Sequence, residues 1–227
     1  MQHGSGALGS RGAKDADTLG RMESTPETTA LDWGARYQSG DTPWDVGGPH
    51  PEFLRRRDLL VPPRPGARAL VPGCGRGHDA LLLAQLGWNV TAVDLVESLA
   101  HEVGPRLAAA GVDLRIRDAL SLSPDDLGGP VDLFLEHTFL CALPLHLRPA
   151  WGLLVERVLA TTGRLLALVF PADKPAAEGG PPFRLTPDDV ALHLGPGFQA
   201  TFAAPVGAPL ARRNWAEYLA LLERTRD

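Results

Sequence analysis

The feature that most narrows the fold is an apolar run, Ala67–Val71, that feeds through Pro72-Gly73-Cys74-Gly75-Arg76-Gly77 into an amphipathic stretch from Asp79 to Leu86. Glycines spaced this closely let the chain turn tightly and bring bare backbone against a ligand, because no Cβ stands in the way. The next apolar run, Asn89–Asp94, ends on an acid, where a carboxylate can accept both hydroxyls of a ribose. Strand, glycine loop, helix, strand and acid in this order describe a nucleotide-type pocket at the carboxyl end of a parallel sheet. A dinucleotide fingerprint wants glycine at position 78, where the helix approaches a pyrophosphate. This chain has His78 there and sets its third glycine at Gly77. The spacing therefore argues against a nicotinamide-dependent oxidoreductase, which stays as the alternative reading.

The same alternation continues. Helices are predicted over Glu97–Ala110 and Leu145–Ala160, and strands over Val112–Arg117, Val131–Leu135 and Arg164–Phe170, with Thr162-Gly163 as a turn before the last. Strands alternating with helices mean βαβ units, and so an α/β fold whose mostly parallel sheet is covered on both faces. Thr186-Pro187-Asp188-Asp189 is a helix start, with Thr186 as N-cap and Asp189 closing a capping box. Gln199–Ala203 reads as a further strand. In segment 214–225, the spacing of Trp215, Tyr218, Leu219 and Leu222 suits a helix, whereas a sheet of this kind ends in an antiparallel hairpin. Periodicity and topology disagree there.

Residues 1–30 hold no Trp, Tyr or Phe and read as a disordered tail. Residues 31–227 read as one domain, of which 31–62 form an N-terminal lid containing a short helix from Pro51 to Leu60. A net charge of −5 with no basic stripe gives no reason to expect nucleic acid as a partner. The two cysteines have no metal-ligand spacing, and no acid cluster converges to hold a divalent ion. Cys141, in an apolar run, reads as a small buried hydrophobe and Cys74 as packing. The apolar run Leu165–Phe170 is far too short to cross a bilayer, and no signal-peptide core is evident. The expectation is a cytoplasmic protein with a small-molecule substrate and no membrane partner.

Four separated motifs carry a more specific likeness. They are Trp33-Gly34-Ala35-Arg36-Tyr37 with Thr42-Pro43-Trp44-Asp45; Leu70-Val71-Pro72-Gly73-Cys74-Gly75; Thr138–Leu143 with Leu147-Arg148-Pro149-Ala150-Trp151; and Gly179-Gly180-Pro181-Pro182-Phe183. In this order, over Trp33 to Phe198, the chain resembles the thiopurine/thiol S-methyltransferase family of class I S-adenosylmethionine-dependent methyltransferases. The resemblance implies a Rossmann-like, seven-stranded, mostly parallel sheet with helices on both faces, and S-adenosylmethionine as cofactor. It implies that Trp33, Tyr37 and Trp44 close over the methionine end, where aromatic faces attract a sulfonium. Gly73 and Gly75 would form the loop, Asp94 would take the ribose, and Asp118 with Ala119 would take the adenine edge. His137 follows the fourth strand, where it could touch cofactor or accept a proton. Arg148 matches a family arginine that favours an ionised acceptor, and Phe183 would wall the acceptor pocket. Arg212-Arg213 adds positive potential or is merely solvated. The implied reaction is an in-line methyl transfer by a monomer, with no metal, to a thiol, hydrogen sulfide, thiocyanate, a halide or a selenium or tellurium oxyanion. A non-catalytic cofactor-binding module is the other open reading.

Overall fold

Alternate residues of the central strands divide between two apolar clusters, which is how short apolar runs become a sheet covered on both sides. Leu70, Phe134, Leu165 and Ala167 face one cluster, and Ala69, Val71, Leu133, Leu135, Leu166 and Leu168 face the other. The computed structural model describes Met1 and residues 31–225; the tail expected over 1–30 otherwise lies outside the described residues. The strands are β1 (Arg68–Pro72), β2 (Asn89–Asp94), β3 (Asp113–Ile116), β4 (Val131–His137), β5 (Leu159–Val169), β6 (Phe198–Pro205) and β7 (Tyr218–Arg224). They form one sheet in the order β3-β2-β1-β4-β5-β7-β6. The pairs among β1 to β5 are parallel, while β7 runs antiparallel to both β5 and β6. The expected seven-stranded, mostly parallel sheet is present.

Helices α1 (Trp33–Ser39), α2 (Pro51–Arg55), α3 (His78–Gln85), α4 (Ser98–Glu102) and α5 (Gly104–Ala109) precede β3, and α6 (Arg148–Val158) and α7 (Pro187–Leu194) come later. Trp151, Leu154 and Val155 of α6 pack in the first cluster with Val190 and Leu194 of α7, and Leu82, Leu83, Leu99 and Leu107 pack in the second. Helices thus cover both faces. The capping box predicted on α7 is formed, with Thr186 and Asp189 satisfying each other's backbone amides. Among the described residues no helix is long and apolar enough to cross a membrane.

Four expectations change. The single helix over Glu97–Ala110 is two, α4 and α5, because Pro105 carries no N–H and cannot continue the earlier turn. The helix expected from Leu145 starts at Arg148, with Pro149 in its first turn and a single 3-10 turn over Leu145–Leu147 before it. The helix expected over 51–60 is α2 followed by a 3-10 turn at Arg57–Leu60. Thr162-Gly163 is no turn: β5 runs through it, and the register moves from Val131↔Leu159 to Leu133↔Arg164. The surplus residues bulge out there, and a Cβ on Gly163 would stand 2.9 Å from the Val131 carbonyl oxygen.

The disputed segment resolves as strand. β7 lies between two neighbours, with Leu219, Ala220 and Leu222 all buried, so both of its faces are apolar and period-two alternation is lost. Trp215 belongs to the loop before it.

Candidate active site

A cleft of about 490 Å³, counted to its open mouth, lies at the carboxyl ends of β1 and β4. It is lined by the glycine loop, by Tyr37 and Trp44 of the N-terminal segment, and by Asp79, His137 and Thr138. Gly73 and Gly75 sit at φ +59° and +52°, the left-handed region. A Cβ on Gly73 would meet Phe139 at 2.8 Å, and one on Gly75 would meet the Tyr37 hydroxyl at 2.7 Å. The loop is therefore bare backbone pressed between two aromatic side chains. Asp94 stands beneath it: one carboxylate oxygen accepts from the Gly75 amide at 2.8 Å and the other from Val96 at 3.1 Å. Burial raises its pKa, and each oxygen keeps a free lone pair.

Three aromatic residues stack edge to face above the loop, with ring centroids 5.3 Å apart for Trp33–Trp44 and 5.8 Å for Tyr37–Trp44. The Trp44 indole N–H donates to the Tyr37 hydroxyl at 3.2 Å. Tyr37 and Trp44 face the cleft; Trp33 supports Trp44 from behind. Arg76, from the glycine loop, donates to Asp45 at 2.6 Å and also pairs with Glu102. Its guanidinium beside Asp45 overcomes burial and lowers that acid's pKa. The N-terminal segment is thus pinned to the loop it covers.

On the other side of the cleft, His137 at the end of β4 has both ring nitrogens engaged. Asp79 Oδ2 lies 2.7 Å from Nδ1, and an Arg213 Nη2 donor lies 3.1 Å from Nε2. A carboxylate only accepts and a guanidinium only donates, so these partners require the neutral ring with its proton on Nδ1. Burial, opposed by Asp79, lowers the His137 pKa in the same sense. Burial would disfavour the Asp79 carboxylate, but His137 and the His50 amide hold its pKa below the usual carboxylate range. Thr138 follows at φ +61°, a strained conformation for a β-branched residue that proteins keep mainly at functional positions.

The turn after β4 is anchored by Glu136. Its oxygens accept from the amides of Phe139 (2.9 Å) and Leu140 (2.8 Å) and from the Trp151 indole (3.1 Å). Burial pushes its pKa up to about 7 against these donors. Cys141 is buried, as expected, and its thiol is pushed up to about 12 by burial.

Other expected site residues lie apart from this cleft. Asp118 is exposed and caps a 3-10 turn by accepting from Leu120 at 2.9 Å, while Ala119 is buried beneath it. Both follow β3, two strands from the cleft's centre. Arg148 is buried and turned inward: both terminal nitrogens donate to the Arg184 carbonyl, at 3.2 and 3.1 Å, and its Nε has no partner. Phe183 packs back on Gly180, and its amide donates to the Cys141 carbonyl at 2.7 Å. Asp45, Arg76, Asp79, Thr138, His50, Arg213 and Glu217 were not singled out by the sequence reading, or were left undecided. Of these, Asp45, Arg76 and Thr138 stood inside quoted motifs, Asp79 opened a predicted helix, and Arg213 stood in a pair whose role was left open.

Comparison with known proteins places the chain in a family. A family model described as thiopurine S-methyltransferase matches residues 28–204. A probable thiol methyltransferase 2 of Arabidopsis thaliana is 30% identical, covering 77% of this chain and 76% of the relative. A thiopurine S-methyltransferase of Xanthobacter autotrophicus is 32% identical, covering 85% of this chain and 97% of the relative. Among solved structures, the 1,6-didemethyltoxoflavin-N1-methyltransferase of Burkholderia thailandensis, with bound S-adenosylhomocysteine, superposes with a TM-score of 0.62 at 23% identity, covering 85% of each chain.

Proposed function

This chain belongs to the thiopurine S-methyltransferase family, and from that premise we propose which of its residues carry the reaction and what acceptor it takes. It is an S-adenosylmethionine-dependent methyltransferase, so neither a nicotinamide-dependent oxidoreductase nor a non-catalytic binding module describes it. The residues present fit that cofactor, since the positions where a Cβ would intrude on the cleft wall are Gly73 and Gly75. When bound, S-adenosylmethionine supplies a methyl carbon already activated by a positive sulfur.

In our reading Tyr37 and Trp44 cover the sulfonium end, with Trp33 behind them, and segment 31–62 acts as the lid. Asp94 takes the ribose through its spare lone pairs, and Asp118 with the Ala119 amide meets the adenine edge on the β3 side. Aromatic faces beside a sulfonium attract it and exclude water.

The acceptor reading rests on one observation: the His137 Nε2 lone pair, the only basic nitrogen of that ring, is already taken by Arg213. A base so engaged does not deprotonate an incoming thiol. The acceptor therefore arrives ionised, as a thiolate or a small soft anion such as thiocyanate. A thiolate needs no further activation. Arg213 is the cation we assign to meet it. Its side chain is almost fully buried and stacks 4.4 Å over Phe170. Arg148 braces the loop carrying Phe183, and Phe183 shapes the pocket wall. The enzyme then mainly orients acceptor and methyl and removes the water between them. The chain works as a monomer.

The test is titration calorimetry with S-adenosylhomocysteine, followed by methyl transfer to thiocyanate and hydrosulfide in wild type, Arg213→Gln and Arg148→Gln. Arg213→Gln should lower kcat/KM by roughly tenfold or more while cofactor affinity holds, as expected for a lost charged contact. Loss of turnover in folded Arg148→Gln, with Arg213→Gln unaffected, would return the acceptor role to Arg148.

A further inference from the structure

We propose that Glu217 is a positioning residue for Arg213, and that His50 of the N-terminal segment completes the clamp, so that one closed hydrogen-bond ring holds both the cofactor cover and the acceptor cation. The inference rests on the methyltransferase reading above.

The ring can be followed atom by atom. Glu217, whose side chain is 1% exposed, accepts from Arg213 Nη1 and from His50 Nε2 at 3.3 Å. Its other oxygen accepts from the Leu210 amide at 3.0 Å. Arg213 donates through Nη2 to His137, and His137 donates through Nδ1 to Asp79. Asp79 then accepts the backbone amide of His50 at 3.2 Å, which closes the circuit. His50 has no solvent exposure, and its Nδ1 accepts from the Glu52 amide at 3.1 Å, so its proton sits on Nε2, facing Glu217.

Every donor and acceptor in this circuit is therefore determined by its neighbour. Two members, Asp79 and His137, line the cleft; Arg213 touches His137, and Glu217 and His50 are joined to the cleft only through these three. The rings of His50 and Phe53 pack edge-on against His137, at 5.3 and 5.7 Å, and fix its plane. Arg213 is thus held on three sides, by Glu217, His137 and Phe170. The N-terminal segment enters the hydrogen-bond ring through His50, 29 residues from Asp79 and 167 from Glu217. A fork of guanidinium donors is useful to an anion only when its orientation is fixed. Glu217 and His50 supply that fixing from behind, without reaching the reacting atoms.

The experiment compares wild type, Glu217→Gln, Arg213→Gln and the double variant, all with S-adenosylhomocysteine or S-adenosylmethionine bound. The nitrogen-resolved imidazole spectrum of the wild type should show His137 neutral with its proton on Nδ1, and Glu217→Gln should disturb that pattern. With thiocyanate as acceptor, Glu217→Gln should raise KM about tenfold with S-adenosylhomocysteine affinity within about twofold, and should add nothing in the Arg213→Gln background. Equal costs in both backgrounds, or an unchanged His137 spectrum, would overturn the proposal and leave Glu217 as packing. If Glu217→Gln does not fold, His50→Gln must raise KM for thiocyanate in the same direction; an unchanged KM refutes the clamp. If the wild type methylates no acceptor, the acceptor reading falls, while the imidazole spectra still decide the ring.

Discussion

Replacing Gly75 by alanine tests the link between loop geometry and cofactor site in a way that can be worked from distances. Gly75 has φ +52°, so alanine incurs about 1–2 kcal/mol for the left-handed conformation alone. Its new Cβ would stand 2.7 Å from the Tyr37 hydroxyl oxygen but 4.0 Å from the ring carbon that carries it. Only the hydroxyl is in the way. Tyr37 must withdraw and release the Trp44 indole N–H, a net loss of about 1 kcal/mol for a hydrogen bond of this kind. The total of about 2–3 kcal/mol should lower Tm by roughly 4–12 °C in a domain of this size. Withdrawal of Tyr37 from the cleft wall should also weaken S-adenosylhomocysteine by about tenfold, or 1.4 kcal/mol. The decisive comparison is Gly75→Ala made on Tyr37→Phe. Without the hydroxyl the clash disappears, and the alanine should cost only its backbone share, giving a coupling of about 1 kcal/mol. Strictly additive effects, measured by thermal melts and calorimetry, would refute the argument that the hydroxyl is what demands glycine here.

Three further outcomes are expected. Gly152 sits where α6 crosses α7, and a Cβ there would come within 1.9 Å of the His193 carbonyl oxygen, so Gly152→Ala must part the helices and should cost about 3 kcal/mol; a near-native circular dichroism melt would contradict this. Glu217 drops from 4.5 to about 2, because His50 and Arg213 outweigh its burial. A folded pKa below the unfolded one stabilises above the unfolded value and is lost as pH falls. About 3 kcal/mol should therefore be present above pH 4.5, with about 2 kcal/mol gone by pH 3. Denaturant melts at pH 6 and 3 should show the wild type losing about 2 kcal/mol more than Glu217→Gln, since other low-titrating acids such as Asp45 and Asp79 contribute equally to both. Asp94→Asn replaces one of the two oxygens that accept from the Gly75 and Val96 amides by an NH2 donor, leaving one amide without its acceptor, and should weaken S-adenosylhomocysteine by about 1–3 kcal/mol in calorimetry, whereas exposed Asp118→Asn should cost far less.

Local chemistry made part of this molecule legible from the residues alone. The strand, glycine loop, helix and acid around Gly73, Gly75 and Asp94 were readable because each depends on neighbours within a few positions: backbone freedom, a cap, an apolar run. The Thr186–Asp189 capping box was readable for the same reason, as was the burial of Cys141. Elsewhere local cues misled. Thr162-Gly163 carries turn residues, yet pairing with β4 turns them into a bulge. Trp215, Tyr218, Leu219 and Leu222 have helical spacing, yet a strand buried on both faces leaves no alternation to detect.

The site shows the same division. Sequence alone determined the α/β class, the glycine loop that lines the cleft, and the family whose motifs run through the chain. Only the tertiary structure decided that Arg148 spends its donors on the Arg184 carbonyl, that Arg213 stands beside His137, and that His50 donates to Glu217, 167 residues away. The reason is physical. A buried charged side chain is defined by the partners that satisfy it, and here those partners come from segments far apart in the chain. Periodicity and spacing report which face of an element a residue occupies, whereas what waits on that face is set by how the elements close on one another.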